Sequence, residues 1–123
     1  SDSKYFKRKL KILNIINSNK YYEKIPIKII VLDDYIAEKK IQFIDLLKID
    51  TEGFEFNVIK GLEKNYKIVK FIYFEHHYDD MIKKNYKFKD INQILTKYGF
   101  KKIYKSKMYF RKSFEYIYEN TII

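Results

Sequence analysis

The sequence predicts an α/β fold in which a parallel strand–helix–strand unit is followed by a second helix and an antiparallel closing hairpin. The first observation is the mostly apolar run of residues 43–49, which lacks strict polar alternation and is typical of a buried parallel strand. The second is the amphipathic segment after it, whose apolar side chains share one helical face: Phe54, Val58, Ile59 and Leu62. A β-rich run at residues 68–74 then completes the unit.

A second helix is predicted between residues 90 and 98. Asp90 is a candidate N-cap, and Gln93 stands where the second member of a capping box belongs. Gly99 follows as a helix-stop signal. The apolar side chains that share one face of this helix are Ile91, Ile94, Leu95 and Tyr98.

The final part of the chain predicts two antiparallel strands. Residues 100–104 and about 109–118 have strand composition, and the polar residues 105–107 between them predict the turn of a hairpin. Together with the unit described above, this predicts one domain over residues 1–123 without an internal repeat.

The first third of the chain is less regular. Residues 4–17 fit both a helical stripe and strand alternation, and we favour a helix. Residues 25–32 are rich in β-branched side chains and predict a strand, with Pro26 near its start. Asp33 is then expected to cap a short helix. For Asp33 and Asp34 together, helix capping is favoured over a part in the chemistry.

Composition narrows the function classes. The formal net charge of +10 invites a nucleic-acid partner, but the lysines are scattered, and Lys, Ile, Asn and Tyr are abundant together. Nucleic acid is therefore not the expected partner. The absence of cysteine excludes disulfides, thiolate nucleophiles and cysteine-based zinc sites, and is compatible with the cytoplasmic location that we expect. No apolar run reaches the roughly 20 residues of a membrane span, so none is expected.

Acidic residues and a glycine follow the central strand. Asp50 and Glu52 lie just beyond it, and Gly53 leaves room for a ligand or a neighbouring backbone to approach. The ends of parallel strands are the usual ligand-binding edge of an open α/β sheet. A purely structural role is the alternative, because Glu52 and Glu55 also fall near a helix N-terminus, where negative charge is stabilising.

A second polar cluster closes the neighbouring strand. Glu75, His76 and His77 follow residues 68–74 and should lie at the same edge as Asp50. A histidine beside carboxylates could act as a general base. Divalent-metal binding and an ordinary polar loop with surface histidines are the alternatives, and no metal-ligand spacing supports a metal site. Neither a Gly-x-Ser-x-Gly elbow nor a phosphate-binding Gly-x-x-x-x-Gly-Lys segment is present.

Several segments resemble the FkbM-type methyltransferases, which use S-adenosylmethionine. The resemblance extends over about residues 27–120 and begins with Val-Leu-Asp-Asp-Tyr-Ile at 31–36. Its most specific part is Ile-Asp-Leu-Leu-Lys-Ile-Asp-Thr-Glu-Gly-Phe-Glu at 44–55, followed by Val-Ile-Lys-Gly at 58–61. A strand that ends in Glu75 and a helix that ends near Gly99 continue it.

The resemblance implies a class I methyltransferase fold, a Rossmann-like sheet whose last strand is antiparallel. This chain would hold the C-terminal portion, with the fourth and fifth strands and the closing hairpin. The family's upstream half carries a Gly-rich cofactor loop and an acidic residue for the ribose. That loop has no counterpart here, because the only glycines are Gly53, Gly61 and Gly99. S-adenosylmethionine is therefore the cofactor expected of the complete enzyme, and binding by this chain alone is not implied.

The implied reaction is methyl transfer to a hydroxyl of a small molecule or sugar. Asp50, Glu52 and His76 are the catalytic candidates, with Asp50 or His76 as proton acceptor. Gly53, Glu75 and His77 are expected to line the substrate and cofactor rim, and no residue is assigned to a metal. Carboxylates there would suit a cationic sulfonium.

Two other function classes remain open. The chain could be a non-catalytic, truncated methyltransferase-like module that binds a partner, since half of an open sheet exposes a strand edge. A second copy or a separately encoded N-terminal half would then cover it. The third class is a basic nucleic-acid-binding domain.

Overall fold

The computed structural model describes residues 22–123, so the helix predicted at residues 4–17 lies outside the described part. The elements are α1 (Leu32–Glu38), β1 (Ile44–Ile49), α2 (Glu55–Lys60), a 3-10 turn (Tyr66–Ile68), β2 (Val69–His77), α3 (Phe88–Lys97), β3 (Phe100–Lys107) and β4 (Ser113–Asn120). Within this part of the chain, no helix has the length and apolar character that crossing a bilayer requires.

The four strands form one mixed sheet in the order β1–β2–β4–β3. β1 and β2 are parallel, whereas β4 is antiparallel to both β2 and β3. The predicted parallel unit and antiparallel hairpin are therefore confirmed. Because β3 runs in the same direction as β2, the carboxyl ends of β1, β2 and β3 lie at one edge of the sheet. We call this the carboxyl edge.

One face of the sheet packs against the helices and holds the core. Ile72 and Phe74 of β2 are buried there beside Tyr116 and Tyr118 of β4. The Tyr118 hydroxyl donates a hydrogen bond to Asn92 Oδ1 of α3 at 2.6 Å, which fixes this helix over the central strands. The helix face is therefore both apolar and tied by polar contacts.

The other face of the sheet has no described helix packed on it, and we call it the open face. Near the carboxyl edge, residues of the loop after β2 and of the hairpin turn lie over His77 on this face. Leu46 of β1 pairs with Phe71 of β2 on this face, and Leu46 is 54% exposed. The prediction of a buried first strand is thus wrong for this face of β1 in the described residues. A mostly apolar run indicates that both faces of a strand can be buried, but it does not supply the covering elements.

The strand predicted at residues 25–32 is also wrong. Residues 23–31 have no regular secondary structure, and α1 begins at Leu32. Ile27 and Ile29 are 78% and 76% exposed. A strand requires a neighbour for its backbone hydrogen bonds, and none of the four described strands pairs with this segment.

Asp33 does not cap α1, because it lies within the first turn of that helix. Its buried carboxylate instead accepts hydrogen bonds from the Lys64 backbone N–H and the Asn65 side-chain amide, both at 2.8 Å. The residue therefore links α1 to the turn that precedes β2. This contact spans more than thirty residues and has no local sequence signal.

The polar cluster predicted to follow the second strand lies inside it. β2 extends to His77, and Glu75, His76 and His77 pair with residues of β4. Side chains of neighbouring strand residues point to opposite faces. His76 is consequently buried on the helix face, whereas Glu75 and His77 lie on the open face.

The boundaries of the last elements shift by several residues. α3 begins at Phe88, and Asp90 is its third residue rather than its N-cap. The Asp90 carboxylate accepts a hydrogen bond from the Lys87 backbone N–H at 2.8 Å, the role predicted for Gln93. Gly99 has a φ of +87° directly after the helix, which confirms the predicted stop.

The hairpin turn lies at residues 108–112 rather than 105–107. The Met108 N–H donates to the Ser113 carbonyl at 3.0 Å and closes the turn. β3 therefore extends through the lysine-rich segment, because pairing with β4 outweighs the weak strand propensity of lysine.

Candidate functional site

The buried carboxylate of Glu55 organises the loop after β1. Glu55 is the first residue of α2, yet its carboxylate turns back toward the preceding loop. It accepts hydrogen bonds from the Thr51 backbone N–H at 3.1 Å, the Thr51 hydroxyl at 3.0 Å and the Gly53 N–H at 3.1 Å. These bonds hold residues 51–53 in a fixed shape at the carboxyl edge.

The same carboxylate anchors the loop after β2. The buried Tyr86 hydroxyl donates a short hydrogen bond to Glu55 Oε2. Burial by itself raises the pKa of the Glu55 carboxyl, but the bonds from Tyr86, Gly53 and Thr51 outweigh burial and lower it. Burial and the Glu55 carboxylate raise the pKa of Tyr86 well above its usual range. Glu55 thus stays ionised and Tyr86 stays a donor near neutral pH.

Gly53 allows these two loops to pack directly against each other. Its φ is +104°, and a Cβ there would lie 2.4 Å from the Lys83 carbonyl oxygen and 2.7 Å from the Ile82 side chain. The sequence suggested that Gly53 leaves room for either a ligand or a neighbouring backbone. In the structure, the backbone at Lys83 fills that room.

Glu52 lies at the mouth of a small cavity between the loops. Its φ of +52° is unusual for a residue with a side chain. The cavity has a volume of about 30 Å³. Its lining residues come from three loops and the end of β2: Glu52, His77, Asp79, Met81, Ile82 and Arg111.

His77 in this cavity lies beside a carboxylate. Its Nε2 lies 3.1 Å from Glu75 Oε1, and both side chains are largely buried. The contact does not have hydrogen-bond geometry, and Glu75 Oε1 has no hydrogen-bond partner among the described residues. The two side chains are therefore close enough for an electrostatic interaction, which a protonated His77 would strengthen.

His76 occupies a different environment on the helix face. It is 2% exposed, and its Nδ1 has no hydrogen-bond partner among the described residues. Its ring lies among Tyr78, Tyr86 and Phe88, with centroids 4.7, 5.9 and 5.7 Å away. Burial, assisted by the charge of Lys84, lowers the pKa of His76 to about 4. The imidazole is therefore neutral near pH 7.

A larger, open cleft of about 540 Å³ lies over His76. It is lined by aromatic and charged side chains, which include Tyr78, Lys84, Tyr86, Lys87 and Phe88. The unpartnered Nδ1 gives this cleft one buried hydrogen-bonding atom.

Asp50 lies outside both cavities. It is exposed, and its carboxylate lies 3.9 Å from the ammonium group of Lys48. The structure thus brings Glu52, Gly53, Glu75 and His77 together, separates His76 onto the other face and leaves Asp50 at the periphery. Over residues 22–123, no three potential ligands are grouped so that they could hold a metal ion.

Two residues of this edge were not predicted as site residues. From the sequence, Glu55 was interpreted only as a negative charge that stabilises a helix N-terminus. An acidic side chain at that position can also accept hydrogen bonds from the loop before the helix. Arg111 comes from the hairpin turn, about sixty residues beyond Glu52, and no sequence signal connects the two. Both are brought to the edge by tertiary structure.

We expect Gly53→Ala to destabilise the protein by about 2–4 kcal/mol, because a Cβ combines backbone strain with a clash against the Lys83 carbonyl. Gly61→Ala is the matched control, since Gly61 has an ordinary φ of −67°. It should cost less than Gly53→Ala, because a Cβ at Gly61 would lie 3.2 Å from the Val58 carbonyl oxygen, a smaller overlap without backbone strain. Urea unfolding measures both free energies, and equal losses would contradict the packing role of Gly53.

The His76 environment predicts a dependence of stability on pH. The folded pKa of about 4 lies below the ordinary value of 6.5, so its contribution is complete above pH 6.5 and is lost as the pH falls toward 4. The loss should approach 1.4 kcal/mol per pH unit. Denaturant unfolding between pH 7 and about 5 should show this slope. His76→Phe should remove the slope and His77→Gln should retain it; retention by both variants would contradict the prediction.

Comparison with known proteins connects this geometry to a family. A family model for the methyltransferase FkbM domain matches residues 3–102. The match starts and ends earlier than the resemblance over about residues 27–120, so β4 lies beyond it. No curated protein and no solved structure matches the chain. Since the family match extends over more than half of the sequence, the chain belongs to the FkbM methyltransferase domain family.

Proposed function

We propose that this chain is the C-terminal portion of an S-adenosylmethionine-dependent O-methyltransferase, and that its carboxyl edge receives the methyl acceptor. Membership in the family supports methyl transfer in general. The observation that carries the acceptor site is the grouping of Glu52 with the His77–Glu75 pair at one cavity. The acceptor is proposed to be a hydroxyl of a small molecule or sugar.

The proposed chemistry assigns one role to each group. S-adenosylmethionine supplies the methyl group in such a reaction. His77, whose Nε2 lies 3.1 Å from the Glu75 carboxylate, accepts the proton that the acceptor hydroxyl loses as its oxygen forms the new bond to carbon. Glu52 accepts a hydrogen bond from the acceptor and positions it at the cavity mouth. A left-handed φ at Glu52 supports this role, because strained backbone is concentrated at functional sites.

His77 fits the proton-accepting role better than the two residues first proposed for it. His76 has a pKa of about 4, so it is a weak base at neutral pH, although its free Nδ1 can accept a hydrogen bond from a substrate hydroxyl. Asp50 lies on the surface beside Lys48 and outside the cavity. A contribution of Asp50 would therefore be electrostatic, through its negative charge near a cationic sulfonium.

The described residues fit the cofactor only in part. A Gly-rich turn lets a ligand approach the backbone, but each of the three glycines has its own chain in that space. A Cβ would lie 2.4 Å from Lys83 at Gly53, 3.2 Å from Val58 at Gly61 and 2.6 Å from Ile122 at Gly99. These residues therefore leave no open cradle for the nucleoside. Cofactor binding is accordingly proposed for the complete enzyme, to which this chain contributes the acceptor side.

Activity of the complete enzyme tests these assignments. With methyl-labelled S-adenosylmethionine and a panel of sugars and small alcohols, His77→Gln should lower kcat by about 10²–10⁴-fold, the usual contribution of a general base. Asp50→Ala should have a smaller effect. Asp45→Ala, another exposed acid of β1, is the matched control and should leave the rate unchanged. A His77→Gln enzyme with full kcat would contradict the proposed base.

Calorimetric titration of this chain with S-adenosylhomocysteine tests whether the chain contains a cofactor site in addition to the proposed acceptor site. Stoichiometric micromolar binding would mean that the chain itself completes a cofactor site. A folded sample that does not bind would agree with a contribution to the acceptor side alone. Labelled methyl groups that never reach any hydroxyl compound in the presence of the complete enzyme would contradict O-methyl transfer.

A second candidate function is a non-catalytic, partner-binding module. The observation that favours it is the apolar surface beside β1, which pairs with β2 and has no second neighbour among the described strands. Leu46 and Phe43 are 54% and 51% exposed there. A second copy of the chain could extend the sheet at this edge.

Sedimentation velocity over a range of protein concentrations tests this candidate. A homodimer that Leu46→Lys dissociates would support pairing at β1, because the ammonium group would be placed in the apolar contact. Lys97→Glu, on the exposed surface of α3, is the control and should leave a dimer intact. A monomer at every concentration would contradict self-association.

A further inference from the structure

The turn between β3 and β4 is a short, well-anchored projection from the carboxyl edge. Its apex consists of Tyr109, Phe110, Arg111 and Lys112, and the bond from Met108 to Ser113 closes it. The Tyr78 N–H also donates to the Lys112 carbonyl at 2.8 Å, which fastens the turn to the loop after β2. The apex residues therefore project from a fixed base.

Two adjacent aromatic side chains at this apex are almost fully exposed to solvent. Tyr109 is 90% and Phe110 is 105% exposed, the highest values among the large apolar side chains of residues 22–123. Their ring centroids are 6.4 Å apart. Neither side chain contributes to the core, so their apolar surface is left for an external contact.

The turn holds Phe110 in a backbone conformation that is unfavourable for an aromatic residue. Phe110 has a φ of +60°, a left-handed conformation that glycine or asparagine adopts at lower cost. A bulky aromatic residue therefore stands where the turn itself would be more stable with a small one. The requirements of the fold do not explain its presence.

The surroundings of the two rings are strongly basic. Residues 100–114 contain no acid and six cations, Lys101, Lys102, Lys105, Lys107, Arg111 and Lys112. Two acids, Asp79 and Asp80, line the cleft beside the apex together with Phe110, Arg111 and Lys112. The Asp79 carboxylate accepts a hydrogen bond from the Met81 backbone N–H at 3.1 Å. The cations therefore lie on β3 and in the turn itself, whereas β4 carries none.

We propose that this hairpin apex binds the surface of an anionic lipid bilayer. Aromatic rings are favoured at the boundary between headgroups and acyl chains, and lysine and arginine near the surface are attracted to anionic lipids. If the apex inserts, its aromatic rings would reach the boundary of the acyl chains while the neighbouring lysine and arginine side chains stay among the anionic headgroups. A nucleic acid would fit less well, because stacking proteins use a basic groove that follows the strand, whereas these rings stand on a convex tip.

This inference goes beyond the proposed methyl transfer and does not rest on it. If the apex binds lipid, the carboxyl edge faces the bilayer, since the turn projects from that edge. The cavity with Glu52 and His77 includes Arg111 of the turn, so it would lie close to the lipid surface.

Co-sedimentation of the full chain with vesicles tests the proposal. Vesicles of phosphatidylcholine with about 30% phosphatidylserine should bind the chain at near-physiological salt, and pure phosphatidylcholine should not. The double variant Tyr109→Ser, Phe110→Asn should lower the apparent affinity at least about tenfold, since it removes the inserted apolar surface. The same variant should be at least as stable to urea as the parent, because asparagine relieves the strain at position 110.

Two double variants that remove the same charge distinguish attraction of lipid to the hairpin turn from attraction by the overall positive charge of the protein. Lys107→Gln with Lys112→Gln should weaken vesicle binding about tenfold or more. Lys64→Gln with Lys67→Gln removes the same charge at the opposite edge of the sheet and should change binding less than about threefold. Equal losses in both pairs, full binding by the aromatic variant, or no binding by the parent would overturn the proposal. Displacement from vesicles by single-stranded DNA that depends on Tyr109 and Phe110 would assign the apex to nucleic acid and would also overturn it.

Discussion

The carboxyl edge depends on one buried carboxylate. Glu55 accepts bonds from Thr51 and Gly53 on one loop and from Tyr86 on the other, so a single charged group fixes two segments thirty residues apart. Hydrogen bonds to an ionised group are stronger than neutral ones, and a buried ion without them would be costly. The loops therefore hold their polar side chains in place through this carboxylate as well as through the buried Ile82 and Tyr86.

Strand alternation then determines which polar side chains can act together. Glu75 and His77 are two residues apart in β2, so they lie on the same face and make contact. His76 lies between them in sequence but belongs to the aromatic layer on the opposite face. Neighbouring histidines thus have separate environments. One is paired with a carboxylate at a small cavity, and the other is neutral beneath an open cleft.

The carboxyl edge also unites the two proposed activities. The strand order brings the ends of β1, β2 and β3 to one side, so the acceptor cavity and the hairpin turn are neighbours. Family membership supports methyl transfer in general, while the proposed acceptor site rests on the contacts of Glu52, Glu75 and His77. The open face and the free side of β1 define a second surface, and its apolar side chains remain exposed in the described part of the chain.

The sequence by itself determined the order and type of most elements and the family. The mostly apolar run at residues 43–49 and the amphipathic segments are local signals that correspond to observed elements, and Gly99 marks the end of one helix. The segment at 25–32 has strand composition but no strand, since a strand also needs a partner. Only the tertiary structure decided that Asp33 binds the turn at Lys64, that Gly53 contacts Lys83, and that Arg111 joins Glu52 and His77. The physical reason is that periodicity and capping act within a few residues, whereas these contacts join segments whose proximity depends on how the strands pair.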